Sequence, residues 1–255
     1  MKLNKKIIFE KKALVNQESK IVSQYKKYGI IVIKNFFEKK NKDILWENYN
    51  RDLKKLIVII ANKKKINCKN FKILRKQNPN LIGKLAKLGS KPNNIISGAI
   101  LKTHHLIIKL VKRLLNTSIL GTMNLSDRLF FEGNSNYEKK FFQNIHNDYD
   151  YVFQSQKALT AHICLKGAGA TGGVNFWIKS HKLKLKVRKD KNGRPQIVPR
   201  DLKKLDNCEK IFIGHDPGTV SFFDTNLYHC TVQNTKDSLR KVQIFRYSDL
   251  KHLEI

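Results

Sequence analysis

From about Leu125 the chain breaks into short apolar segments set apart by glycine and asparagine: "DRLFFEG", "KFFQNIHNDY", "ALTAHICLKG", "GVNFWI", "KIFIGHD", "GTVSFFD", "YHCTVQN" and "RKVQIFRYS". No other feature limits the fold as strongly. Segments this short bury one face each, and with turn residues at regular intervals they must pair into a sandwich or barrel. Gly167, Gly169, Gly172 and Gly173 mark one loop, and Pro217-Gly218 marks a tight turn before a strand. The first 120 or so residues read differently, as helices around one strand-like piece, "YGIIVIKNFF". Residues 41–65 and 93–116 carry apolar positions at helical spacing, the second run starting at Pro92-Asn93. The sequence therefore predicts a single domain over residues 1–255, with a mainly helical part (1–120) packed outside a β-core (121–255). A chain of 255 residues buries roughly three quarters of its unfolded surface and needs no disulfides.

Within "QNIHNDYDY", His146 and Asp148 stand two residues apart. In a strand such residues project from one face, so both can point into a barrel. An imidazole, a carboxylate and a second, distant imidazole make the two-His-one-carboxylate arrangement that holds Fe(II) and leaves positions open for chemistry. A His-x-Asp pair alone is weak evidence, because most such pairs are surface polar residues. Four later histidines could supply the third ligand. His162 shares a strand face with Thr160 and Cys164, opposite Leu159, Ala161, Ile163 and Leu165, while His181 and His215 sit in turns. His229 is favoured, because it follows "GTVSFFDTNLY" and Arg240 comes eleven positions later at the start of the last strand. An inward arginine can grip the distal carboxylate of 2-oxoglutarate with its planar fork. Arg246, on the same strand, is the rival for that role. The adjacent His104 and His105 fall in the second helical run and read as surface or boundary residues, since neighbouring helix positions point apart.

Three stretches in order, "IHND", "ALTAHICLKGAGATGGVNFWIKSHK" and "GTVSFFDTNLYHCTVQNTKDSLRK", resemble the phytanoyl-CoA dioxygenase family of iron- and 2-oxoglutarate-dependent oxygenases. The likeness spans about residues 125–248, and "YGIIVIKNFF" resembles the family's N-terminal strand. It implies an α+β fold built on a double-stranded β-helix (a jelly-roll, cupin-like core) with the N-terminal helices outside. It also implies His146, Asp148 and His229 as Fe(II) ligands and Arg240 as the residue binding the distal carboxylate of 2-oxoglutarate. Thr231, two after the distal histidine, matches a hydroxyl that assists that carboxylate. His162 stands where the family often has an aromatic residue lining the co-substrate pocket, and Ser180-His181 matches a structural turn. The implied reaction uses O2, converts 2-oxoglutarate to succinate and CO2, and hydroxylates a small or carrier-linked organic substrate. Related halogenases replace the carboxylate ligand with a small residue; Asp148 is present here.

Charge is the remaining unusual feature: 51 basic against 20 acidic residues, a net +31. The lysines are spread over the chain and are not interleaved with aromatics as on a base-stacking surface, which argues against nucleic acid. A basic β-barrel binding protein without turnover, or an oxygenase acting on a macromolecule, are the alternative readings. One segment stands out: "HKLKLKVRKDKNGR" alternates Lys182, Lys184, Lys186 and Arg188 with Leu183, Leu185 and Val187, setting four cations on one strand face for an anionic substrate. The start has basic residues but no apolar stretch of a secretory signal, and the longest apolar run, Leu56 to Ala61, is too short for a membrane span. Cys68, Cys164, Cys208 and Cys230 form no CxxC pair and read as free thiols in the cytoplasm.

Overall fold

The computed structural model describes residues 4–63, 101–130, 144–151, 156–166, 173–189, 195–214, 216–232 and 240–252. Five helices position the core: α1 (Asn4–Ile7), α2 (Ala13–Asn16), α3 (Glu18–Tyr28), α4 (Lys39–Lys63) and α5 (His105–Leu115). The strands are β1 (Ile8–Glu10), β2 (Ile30–Lys34), β3 (Leu120–Phe130), β4 (Ala158–Lys166), β5 (Gly173–Trp177), β6 (Val187–Lys189), β7 (Pro195–Ile197), β8 (Lys210–Gly214), β9 (Val220–Asp224), β10 (His229–Val232) and β11 (Arg240–Asp249). They form a major sheet ordered β1-β2-β9-β4-β11-β3, a minor sheet ordered β10-β5-β8, and the hairpin β6-β7. Among the described strands, only β1 and β2 pair in parallel; the other pairs are antiparallel.

Period-two alternation divides the major sheet into two apolar faces. Ile31 and Ile33 of β2, Leu159, Ala161 and Ile163 of β4, Val220 and Phe222 of β9, and Phe245 and Tyr247 of β11 face the helices in one core. The helices complement them at helical spacing: α5 places Ile107, Leu110, Val111, Leu114 and Leu115 on one stripe, and α3 adds Ile21 and Tyr25. On the other side, Ile30, Val32 and Phe223 meet Val174 and Phe176 of β5 and Ile211 and Ile213 of β8, filling the space between the sheets. A third cluster joins the β6-β7 hairpin to the minor sheet through Leu185, Ile197, Leu205, Trp177, Tyr228 and Cys230. Helix α3 stops at Gly29, whose φ of +79° is cheap only for glycine and where an added methyl would run into the His181 ring.

The resulting architecture is the mixed α+β double-stranded β-helix expected from the sequence, with helices on its outer face. "YGIIVIKNFF" contains the expected strand, β2, which joins the major sheet between β1 and β9. Several local expectations change. Residues 144–148 form no strand; His146 makes a single bridge to His229, and Asp148 lies in a bend before a short turn at Tyr149–Tyr151. The second helix begins at His105, so His104 precedes it with extended backbone and its ring folds back to stack on His105, at 4.9 Å between centroids. The predicted start at Pro92-Asn93 lies outside the described residues, as do His215, Cys68 and the glycines at 167, 169 and 172. In the cationic segment only Val187–Lys189 is hydrogen-bonded strand, yet the alternation survives: Lys182, Lys184, Lys186 and Arg188 are exposed while Leu185 is buried. No described helix is long and apolar enough to cross a membrane.

Candidate metal centre

His146, Asp148 and His229 converge. One ligand atom from each lies within 4.8 Å of the others, and this is the cluster of three or more potential metal ligands found among the described residues. The chain reaches this arrangement through backbone bonds. His146 and His229 exchange two, N–H of His146 to the His229 carbonyl at 3.0 Å and N–H of His229 to the His146 carbonyl at 2.8 Å. Tyr149 N–H then donates to the Thr225 carbonyl at 3.0 Å, and Asn147 Oδ1 accepts from Asp150 N–H at 2.8 Å. Asp148 is therefore held between two fixed points although it belongs to no strand.

The two imidazoles are keyed alike. Nδ1 of His146 is 2.8 Å from the Asn144 carbonyl, and Nδ1 of His229 is 2.9 Å from the Leu227 carbonyl. A carbonyl only accepts, so each Nδ1 carries a proton, and in the neutral ring Nε2 would be the lone-pair nitrogen, the tautomer a metal requires. The rings lie 4.4 Å apart between centroids, and Phe223 packs edge-on to His229 at 4.9 Å. His229 is 7% exposed, Asp148 5%, and His146 is half-buried, so the cluster opens on the His146 side.

Asp148 is gripped from the major sheet. Arg246 Nη2 donates to Oδ1 at 2.5 Å and Thr160 Oγ1 donates to Oδ2 at 2.6 Å. Arg246 and Thr160 are direct register partners on β11 and β4, and the β11 register on β3 shifts next to Arg246. Such an irregularity turns a side chain locally. Burial opposes ionisation of Asp148, but the guanidinium and the neighbouring imidazoles outweigh it and hold the carboxyl far below the usual carboxylate range. Both partners are buried, with side chains 6% and 7% exposed. Removing one member of a buried pair of this kind costs about 3–5 kcal/mol.

The other residues named from the sequence fall as follows. His162 is buried on β4, two residues from Thr160 and on the same inner face, in register with Ile244 and Ser221. Thr231 is half-buried on β10, two residues beyond His229 and paired with Val174. Arg240 opens β11 opposite Phe130; its side chain lies outside the described residues. His181 lies away from the cluster, beside Gly29 and Asp224, and Ser180 Oγ accepts from Tyr228 N–H at 3.0 Å, which makes the Ser-His step a structural turn. Three contributors were missed as such: Thr160, Arg246 and Tyr228. Burial beside Asp150 pushes the Tyr228 phenol up to about 12, so it stays protonated next to Asn147 and braces the ligand segment. The cue for Thr160 was its place on the His162 face; a contact with Asp148 had no cue in the sequence.

No family model and no curated protein matches the sequence. Solved structures do match in fold. The non-heme alpha ketoglutarate dependent epimerase SnoN from nogalamycin biosynthesis, in complex with Fe3+, alpha ketoglutarate and nogalamycin RO, has a TM-score of 0.62 at 16% identity, covering 92% of this chain and 84% of its own. The non-heme alpha ketoglutarate dependent carbocyclase SnoK of the same biosynthesis gives 0.61 at 16% identity, covering 89% and 82%. EctD from S. alaskensis with 2-oxoglutarate and 5-hydroxyectoine gives 0.58 at 15% identity, covering 91% and 77%. The chain thus has the fold of non-haem, 2-oxoglutarate-dependent oxygenases over most of its length, and its His-Asp-His cluster lies within that fold.

Proposed function

We propose that this protein is an Fe(II)- and 2-oxoglutarate-dependent dioxygenase that oxidises a C–H bond of a small or carrier-linked organic substrate, with release of succinate and CO2. The observation that carries the reading is the cluster of two Nε2-presenting histidines and one ionised carboxylate, its ligand atoms within 4.8 Å of one another. His146, Asp148 and His229 would hold the iron, and bound iron with 2-oxoglutarate would supply the O2 chemistry. Two neutral imidazoles and one carboxylate suit Fe(II), and nothing in the donor set demands a softer metal.

The remaining roles belong to this chain's own residues. Arg240 binds the distal carboxylate of 2-oxoglutarate, with Thr231, on the strand of His229, adding a hydroxyl. His162 lines the co-substrate pocket from β4. Phe176 and Phe223, which pack on His229 at 5.7 and 4.9 Å, keep water from that side of the cluster. The exposed cations from Lys182 to Arg188 suit a substrate bearing an acidic group. Hydroxylation is the outcome we favour, because Asp148 retains the carboxylate ligand. The relatives include an epimerase and a carbocyclase, so the outcome of the oxidation is set by how substrate is held.

The test needs no substrate. Anaerobic addition of Fe(II) and then 2-oxoglutarate should produce the metal-to-ligand charge-transfer band of a chelated oxo acid. His229→Ala should abolish it, Arg240→Ala should require much more 2-oxoglutarate, and His162→Ala should retain it. Folded, metal-loaded wild type without a band would sink the reading.

A further inference from the structure

Asp148 belongs to no strand and makes no bridge, yet its carboxylate is held at both oxygens. Both of its oxygens accept a hydrogen bond from the major sheet: Oδ1 from Arg246, Oδ2 from Thr160. The donors come from neighbouring strands in direct register, so their separation is fixed by the sheet. All three residues are buried, Thr160 at 0%, Asp148 at 5% and Arg246 at 5% exposure. Each carboxylate oxygen has a second lone pair that these bonds do not use.

We infer that Arg246 and Thr160 form a two-point clamp that holds the Asp148 carboxylate in one orientation before iron arrives, which makes both of them positioning residues of the metal centre. The inference rests on the proposed iron-binding role of the cluster and extends it to two residues outside the ligand set. Two opposing effects meet at Arg246. Its charge repels a divalent cation, whereas its hydrogen bond removes the entropy and desolvation costs of orienting a buried carboxylate. Outer partners of metal ligands change affinity by about 10–100-fold when removed. Buried, short and charge-assisted, the Arg246 bond belongs with the stronger of these. Orientation therefore outweighs repulsion.

The experiment is Mn(II) binding by calorimetry, with the melting temperature of the metal-free protein measured in parallel. Mn(II) is chosen because it resists oxidation in air. Thr160→Val keeps the shape and deletes the hydroxyl; Thr160→Ser restores it; Arg246→Lys keeps the charge and loses the planar fork; Arg246→Gln removes the charge. We expect Thr160→Val and Arg246→Lys each to weaken Mn(II) by about tenfold or more, Arg246→Gln by up to about a hundredfold, and Thr160→Ser to stay near wild type. In Co(II)-substituted protein the d–d absorption should also change in the weakened variants, as it would not if the residues served stability alone. Mn(II) affinity within twofold of wild type in Thr160→Val and Arg246→Lys, whatever happens to the metal-free melting temperature, overturns the clamp. Tighter binding in Arg246→Gln also overturns it, since repulsion would then dominate. If wild type itself binds no Mn(II), the metal reading fails and the clamp fails with it; if wild type binds and the variants bind equally well, only the clamp fails.

Discussion

Asp249 shows at the scale of one residue how this very basic chain uses its few carboxylates. It is buried; Oδ1 accepts from Thr117 Oγ1 at 2.7 Å and Lys251 N–H at 3.1 Å, and Oδ2 pairs with Lys157 at 3.2 Å, with His252 nearby at 3.7 Å. Burial pushes its pKa up, but the bonds from Thr117, Lys251 and Lys157 outweigh that and leave it below the ordinary value. A carboxyl lowered on folding adds stability above its unfolded pKa, about 3.9, and loses it as the pH falls through the folded value. Asp249→Asn should therefore lower the melting temperature at pH 7, and the gap to wild type should close below about pH 4. A gap unchanged down to acid pH would mean that packing, not charge, holds the position. The sequence was partly legible at this scale. His146 and Asp148 were readable because two residues suffice to show their spacing, and His229 because Arg240 follows it. The grip on Asp148 was not, because it joins positions 98 apart through a register that only the folded sheet defines.

Among the elements, seven of the eight apolar segments contain strands, β3, β4, β5, β8, β9, β10 and β11, and were legible because alternation writes a half-buried strand directly into the chain. The failures are short or singly bridged pieces. β1 has three residues, too few for a pattern, and residues 144–148 read as strand because His146 and Asp148 stand two apart, although only His146 makes a bridge. The basic arm around β6 lies between these cases. Its cations point to solvent and Leu185 turns into the cluster containing Tyr228, with Ile145 packed beside it. Tyr228 and Ile145 directly precede His229 and His146, so the arm is anchored beside the His-Asp-His cluster. Once a substrate is in hand, Lys184→Glu combined with Arg188→Glu should raise KM severalfold for an acidic substrate and leave kcat nearly unchanged. An unchanged KM would make the arm a solvated edge whose charge has no part in recognition.

For the whole molecule, the placement of the three ligands has a consequence for stability. His229 belongs to the minor sheet, His146 is bonded to it, and Asp148 is secured to β4 and β11 of the major sheet. An ion shared by the three would rivet one sheet to the other at the end of the core where Ile30, Val32, Phe223 and Phe176 give way to polar groups. Unfolding would then have to release the ion, so the native state gains free energy by mass action. At a free concentration of about a hundred times the dissociation constant the gain is about 2.7 kcal/mol. For a chain of this size that corresponds to roughly 5–10 °C in melting temperature. Mn(II) should raise the melting point by about that much in wild type and by almost nothing in His229→Ala. A flat response in both would mean that the sheets stay docked without help. If the shift is found, the ion is more than a reagent: it is the last fastening of the sandwich, and a cell short of iron would hold this protein in a looser, shorter-lived form.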